Sequence, residues 1–282
     1  MMADLFADLS ALVTGRKVLG VFAHPDDETF FGGATFAACA AAGGDVRLAT
    51  LTAGEAGAIG VGPARAAQDR SDRGALEAAA AAGLSRYASA CTALGVRQFG
   101  VVGPGRWRDL GDAGPGSLAA GDPDEIAEAV RHLVTDYRPD VLVTVDADGV
   151  TGHPDHVRAH EAVQRALDLL GRTGVPALTL GGCVRSEDVV TARERLSGLV
   201  PDREIGTTRI VGTSADDVMA AEWSPEAGAA KLAALDAYAP GLGTAPLTDL
   251  VPGRSPVGDG VLLRAIAEVA GPPCEYFRPL RP

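Results

Sequence analysis

A chain of 282 residues, 46% hydrophobic and 22% charged, has the size and composition of an ordinary soluble globular protein, built as one large domain or one domain with an appendage. Its net charge of −12 at pH 7 and isoelectric point near 4.8 lack the positive footprint that polyanion binding needs, so neither nucleic acid nor an anionic membrane surface is an expected partner. No apolar run is long enough to span a bilayer, and the acidic stretch before Lys17 does not read as a signal peptide.

The first strand signal is Val18 to Phe22, an apolar run ending at Ala23-His24-Pro25. A helix is expected from Thr29 to Ala42, stopped by Gly43-Gly44. Val46 to Leu51 reads as a second strand, followed by a Gly-rich loop from Thr52 to Pro63. Arg65 to Leu94 is Ala-rich and helical, open to a break near Gly83. A short third strand, Phe99 to Val102, precedes a Gly- and Asp-rich loop from Gly103 to Pro123 that contains Trp107. A helix from Asp124 to Tyr137 leads to the clearest strand, Val141 to Val145, and residues 154–170 form the next helix. Beyond residue 180 the pattern weakens, apart from a helical piece from Pro225 to Tyr238.

Strands alternating with helices at these spacings predict a Rossmann-like, mostly parallel sheet with helices on both faces and a smaller C-terminal portion. Residues 1–180 are expected to form the core and 181–282 to complete the same domain. Ligands of such sheets bind beyond the carboxyl ends of the strands. The four cysteines, Cys39, Cys91, Cys183 and Cys274, form no CxxC pair; they read as free thiols of a reducing compartment, which points to the cytoplasm.

Two turns carry the chemistry. His24-Pro25-Asp26-Asp27-Glu28 follows the first strand, and Gly152-His153-Pro154-Asp155-His156 follows the strand ending at Val145. Both fall on one rim of one sheet. Imidazole and carboxylate groups suit zinc, whose catalytic sites use three protein ligands and keep one position open. Helix capping accounts for one Asp per turn but not for a repeated His-Pro-Asp pattern. Asp26 and Asp27 are adjacent, so their side chains diverge and one of the two binds metal; spacing alone does not decide which. A His156–His160 pair is a weaker ligand set, because His160 lies a full turn, about 5.4 Å, farther along the helix. His132 and His160 read as surface or supporting residues, and Glu28 as a first-turn helix charge.

These residues resemble the two signature motifs of the LmbE-like, or PIG-L, zinc-dependent N-deacetylases, a family that includes mycothiol-pathway deacetylases and amidases. Thr52-Ala-Gly-Glu-Ala-Gly and Arg108-Asp109-Leu-Gly111 resemble two further segments of that family. The resemblance implies His24, Asp27 and His156 as ligands of one Zn²⁺ per chain, with Fe²⁺ an alternative in cells. It implies Asp26 as general base on the zinc-bound water, His153 as acid or oxyanion stabiliser, and Asp155 as the group that orients His153. The chemistry is coherent in itself, since zinc acidifies bound water and polarises a carbonyl while a carboxylate and an imidazole move protons.

The resemblance further implies removal of an N-acetyl group from an amino sugar of the N-acetylglucosamine type, free or conjugated. Asp109 would accept sugar hydroxyls, with Trp107 and Arg108 beside it; anchoring of the loop in the core is the competing role for Trp107. Thr151 stands where mycothiol-type relatives carry Tyr, which removes a phenol hydroxyl from that position. Lys231 and Tyr238 fall loosely at family positions, and Lys231 reads as a surface lysine. Two alternatives stay open: an amidase acting on a larger thiol or glycoside conjugate with the same site, and a non-catalytic metal- or sugar-binding protein. A homo-oligomer is compatible with the sequence.

Overall fold

The computed structural model describes residues 13, 15–56, 73–111, 113–171, 174–201, 205, 210, 212–251, 257–271 and 273–280. Most of the Gly-rich loop after Ala56, and the start of the helix expected from Arg65, lie outside those residues. The first half follows the alternation seen in the sequence: β1 (Lys17–Phe22), α1 (Asp27–Ala41), β2 (Asp45–Thr50), α2 (Arg73–Ala93), β3 (Gln98–Val101), α3 (Pro123–Tyr137), β4 (Val141–Val145) and α4 (Pro154–Leu170). Then come β5 (Leu178–Cys183), α5 (Ser186–Ser197), a 3₁₀ turn (Ala215–Asp217), β6 (Met219–Glu222), α6 (Pro225–Tyr238), the short α7 (Leu247–Leu250), α8 (Asp259–Val269) and β7 (Cys274–Pro279).

The seven strands form one sheet in the order β3-β2-β1-β4-β5-β7-β6. β1 to β5 pair in parallel, whereas β7 is antiparallel to both β5 and β6. The chain moves outward from β1 to β3 on one side and from β4 to β5 on the other. The order therefore reverses between β1 and β4, the switch point beyond whose strand ends open α/β sheets ordinarily bind ligands.

Alternation along β1 shows how both faces are covered. Val18 and Phe22 join a core with Phe31 and Phe36 of α1, Tyr87 of α2, Tyr238 of α6 and Ile266 of α8. Leu19 and Val21 point the other way, into a core with Ile126 and Val130 of α3 and Val163 and Leu167 of α4. A strand buried on both sides reads as a nearly continuous apolar run, and β4, Val-Leu-Val-Thr-Val, apolar at all but Thr144, is buried throughout. The sequence of α1, DETFFGGATFAACAA, has no polar stripe, so it can only be stable when enclosed. Among the described residues no helix is long and apolar enough to cross a membrane.

Helix α2 is unbroken at Gly83. A Cβ there would overlap the carbonyl oxygen of Ala53, so the glycine lets the helix lie against the segment leaving β2. Substituting Ala for Gly in an exposed helix ordinarily stabilises by up to about 1 kcal/mol. Here the sign should invert: Gly83→Ala is expected to destabilise by about 1–3 kcal/mol through overpacking, read as a lower midpoint in denaturant unfolding. A stabilised Gly83→Ala variant would show that the Ala53 contact does not constrain this helix.

Candidate metal centre at the switch point

His24 leaves the end of β1, and His153 and His156 lie on the first turn of α4, reached from β4 through residues 146–152. The three rings pack against one another with centroids 4.8 Å (His24–His153), 5.0 Å (His24–His156) and 5.2 Å (His153–His156) apart. Donor atoms of His24, His153 and His156 lie within 4.8 Å of one another, and so do those of His24, Asp109, His153 and Asp155. Asp27 completes a tighter group. His24 Nδ1 is 3.1 Å from His156 Nε2, His156 Nε2 is 3.0 Å from Asp27 Oδ1, and His24 Nδ1 is 3.7 Å from Asp27 Oδ2. Tetrahedral zinc with bonds near 2.1 Å has ligand–ligand edges of about 3.4 Å, so these separations suit a divalent ion.

Ring orientation distinguishes two imidazoles that turn a free nitrogen to the cluster from a third whose Nδ1 is engaged by the backbone. His156 Nδ1 is 2.9 Å from the carbonyl oxygen of Gly149; a carbonyl only accepts, so Nδ1 carries the proton and Nε2 is free to coordinate. His24 Nε2 is 3.1 Å from Asp155 Oδ2, which leaves Nδ1 for a metal by the same logic. His153 is different. It caps α4, and its Nδ1 accepts from the backbone N–H of Asp155 at 3.2 Å, so the neutral ring carries its proton on Nε2 and has no free lone pair. The donor set His24 Nδ1, Asp27 and His156 Nε2 therefore fits a metal, and His153 fits a hydrogen-bond donor.

The loop before α4 is built for the Gly149 carbonyl. Gly149 has φ of +69°, and a Cβ on it would stand 2.8 Å from the Cβ of His156. Buried Val150 follows at φ of +61°, a strained conformation for a β-branched residue, with its N–H donated to Asp148. Thr151 Oγ1 lies 3.2 Å from His156 Nδ1 and accepts from the His153 N–H at 3.3 Å. Thr151 thus braces the turn from within.

Charge in the cluster is unbalanced. Burial disfavours a charged His24, but Asp109, the hydrogen bond to Asp155, and Asp27 outweigh it and push His24 from 6.5 up to about 10. Burial raises Asp27, yet His156 and His24 hold it down at about 2. Burial and then the charge of Asp27 push Asp26 well above the usual carboxylate range. Burial, with the charges of His24 and His156, lowers His153 to about 4. Without metal, the proton on His24 is thus a large part of the compensating positive charge.

The structure places the remaining expected residues as follows. Asp26 is half-buried at the start of α1, close enough to feel the charges of Asp27, His24, Glu28 and Asp109. Asp155 is fully buried and turns its carboxylate to His24 and to the Ala119 N–H, 2.7 Å away; what it gives His153 is its backbone N–H. Asp109 is 8% exposed, with Oδ1 3.8 Å from His24 Nε2, and its N–H is donated to buried Glu55. Arg108 is half-buried, and its carbonyl accepts from Leu118. Trp107 is 3% exposed and packs with Leu118 and Ile126, as expected of the competing role, a residue that anchors the loop in the core, and it has little open face for a sugar. His132 is exposed beside Glu128, and His160 is buried with Nδ1 2.9 Å from the Val145 carbonyl.

Two residues take roles the sequence did not suggest. Glu28 is 0% exposed and accepts from Asp26 N, Thr29 Oγ1 and Tyr238 Oη; burial raises it to about 7. Lys231 is not a surface lysine: its Nζ donates to the Phe30 carbonyl at 2.9 Å and to buried Glu275 at 2.7 Å. The apolar context of α1 was the available signal for Glu28, since a helix enclosed on all sides buries its charges too. Burial raises the carboxyl of Asp259, at the head of α8, and the charges of His156 and Arg193 offset this only in part; nothing local in the sequence marks it.

A mostly parallel α/β sheet with an imidazole–carboxylate cluster at its switch point defines a Rossmann-like protein with a metal-type centre. Residues 19–167, over half of the chain, match the PIG-L family, described as GlcNAc-PI de-N-acetylase, and the chain belongs to that family. It is 42% identical over 175 residues to a 1D-myo-inositol 2-acetamido-2-deoxy-alpha-D-glucopyranoside deacetylase of Thermobispora bispora, covering 57% of this chain and 54% of the relative. A protein of the same description from Kineococcus radiotolerans is 42% identical over 178 residues, covering 60% and 49%. The matched region thus spans about half the length of these relatives. The fold is shared with A40926 pseudoaglycone deacetylase Dbv21 (TM-score 0.58, 19% identity, 94% of this chain and 96% of that one). It is shared too with N,N'-diacetylchitobiose deacetylase from Pyrococcus horikoshii (TM-score 0.53, 18% identity, 99% and 91%).

The raised His24 and lowered Asp27 give a pH prediction. His24 stabilises the metal-free protein fully below its ordinary 6.5, and this contribution is lost as pH rises through about 10; Asp27 stabilises above 3.8, and its contribution is lost as pH falls through about 2. Binding a divalent ion must displace the His24 proton. Titration calorimetry in buffers of different ionisation heat should show about one proton released per ion between pH 6 and 8, with affinity rising about 10-fold per pH unit. Affinity independent of pH over that range would remove His24 from the ligands.

Proposed function

We propose that this protein is a zinc-dependent hydrolase that removes the acetyl group from an N-acetylglucosamine-type sugar carried on a larger conjugate. The observation that carries the reading is the division of labour among the three imidazoles: two present lone pairs toward Asp27, and the third presents an N–H. The relatives' description, a deacetylase of an inositol-linked 2-acetamido-2-deoxyglucopyranoside, supports the substrate class. In this reading residues 181–282 belong to the same catalytic unit, since Tyr238 bonds Glu28 and Arg278 pairs with buried Asp146 at the end of β4.

His24, Asp27 and His156 hold the ion. A divalent ion bound there supplies Lewis acidity toward the acetamide carbonyl and acidifies water. Asp26 takes a proton from the attacking water and returns it to the leaving amine. His153, neutral at pH 7 with its proton on Nε2, donates a hydrogen bond to the oxyanion that develops on the carbonyl. Asp155 orients His24 through its carboxylate and His153 through its backbone N–H. Asp109, with Oδ1 3.8 Å from His24 Nε2, serves either the sugar hydroxyls or His24.

A screen of N-acetylated sugars and sugar conjugates for amine release by metal-reconstituted protein tests the activity. His24→Ala and His156→Ala should lose metal, whereas Asp26→Asn should keep it and lose about 10²–10⁴-fold in kcat. Full metal occupancy with normal turnover in His156→Ala rejects the ligand set.

Two further variants separate roles. His153→Ala should lower kcat by about 10²–10³-fold, and His153→Gln, which keeps an N–H donor, should recover part of that; equal losses would favour a proton-donating imidazolium instead. Asp109→Ala should raise KM for a sugar substrate more than for a small acetamide, by the equivalent of about 1.5–3 kcal/mol for a charged hydrogen bond. Equal losses on both, with reduced metal content, would assign Asp109 to His24.

A further inference from the structure

An aspartate that caps a helix ordinarily has extended backbone and accepts, through its carboxylate, the N–H two or three residues ahead. Asp122 and Ser224 cap α3 and α6 in this way. Asp26 does not. Its φ is +117° with ψ of −32°, and its side chain makes no cap bond, which leaves the carboxylate free. Among the described residues, only Arg138 and Val150 are other non-glycines at positive φ. Such a conformation persists only where the surroundings over-determine it.

The restraint is visible. The Asp26 N–H donates to Glu28 Oε2 at 2.9 Å, and its carbonyl accepts from Thr29 N and Phe30 N at 2.9 and 3.1 Å. Glu28, fully buried, takes the reverse of the usual capping bond: the side chain inside the helix receives the N–H of the capping residue. Its other oxygen accepts from Tyr238 Oη and Thr29 Oγ1, both at 2.6 Å. Tyr238 is 4% exposed and is the last residue of α6. A buried carboxylate is held where its donors are, so α6 fixes Glu28, and Glu28 fixes the Asp26 backbone.

We infer that Glu28 and Tyr238 are positioning residues that hold the Asp26 turn in its positive-φ conformation and so turn the Asp26 carboxylate away from the helix end and into the cluster. This rests on the reading of Asp26 as base. A purely structural Tyr238–Glu28 bond, cementing α6 onto α1, would act on stability and metal retention; a positioning bond acts on turnover through Asp26.

The test compares the parent, Tyr238→Phe, Asp26→Asn and the double variant, all metal-reconstituted, for kcat, KM and metal content. Hydrogen exchange of the Asp26 amide is followed separately in the metal-free parent and Tyr238→Phe. Tyr238→Phe is expected to keep metal and KM, to lose about 10-fold in kcat, and to exchange the Asp26 amide faster. In the Asp26→Asn background the same change should cost nothing further, because the group being positioned is already gone. Unchanged kcat per bound ion in Tyr238→Phe, or losses that multiply in the double variant, would overturn the inference. Should Asp26→Asn keep the parent rate, the base assignment fails, and unchanged exchange of the Asp26 amide then rejects the positioning role as well. Glu28→Gln, which keeps the shape and one acceptor, replaces Tyr238→Phe if the latter loses metal or unfolds.

Discussion

Negative charge gathered around one buried imidazole is the constraint on which this site depends. Asp27, Asp109 and Asp155 all lie within 4 Å of a His24 ring nitrogen, and each is at least nine-tenths buried. Carboxylates removed from water need a positive partner or protons of their own. The protein supplies one imidazolium from within, and a divalent ion would answer the remainder. The loops are arranged to permit this: a glycine carbonyl points one ring, a buried aspartate points the next, and a backbone N–H occupies the third.

The two motif turns also concentrate backbone strain. Asp26 and Val150 adopt positive φ within a few residues of the histidines they accompany. Each is held by an acidic side chain two residues away, Glu28 in one turn and Asp148 in the other. Rigidity comes from hydrogen bonds inside the turns, and the surrounding helices lock those bonds in place. An unstrained turn would direct the same residue types elsewhere.

Much of this was legible in the sequence where the signal is local. Val141–Val145 reads as a strand because it is β-branched or leucine throughout and apolar at all but Thr144, and it matches β4 residue for residue. The His-Pro-Asp repeats mark the cluster because no structural need calls for that pattern twice. The sequence pattern starts α1 two residues late, at Thr29, since Asp27 and Glu28 look like a solvated entry to a helix and are in fact enclosed. Lys231 reads as a surface residue because lysine usually is; its partner Glu275 lies 44 residues away, and no local pattern announces so distant a pair. The antiparallel edge escaped for a related reason: Met219–Glu222 is short, and Cys274–Pro279 contains charges and ends in proline, features that describe an edge better than the interior position β7 occupies.

That interior position affects how the molecule is made. β7 lies between β5 and β6, yet it leaves the ribosome after every other strand described. Until it arrives, β5 has an open edge and Asp146, at the end of the strand that leads into the His153–His156 turn, lacks the Arg278 guanidinium that neutralises it in the finished sheet. Pairings so distant in sequence form slowly. The nascent chain therefore carries both signature motifs long before the sheet is closed, and a protein truncated ahead of Cys274 would keep every proposed metal ligand while presenting a raw strand edge to its neighbours.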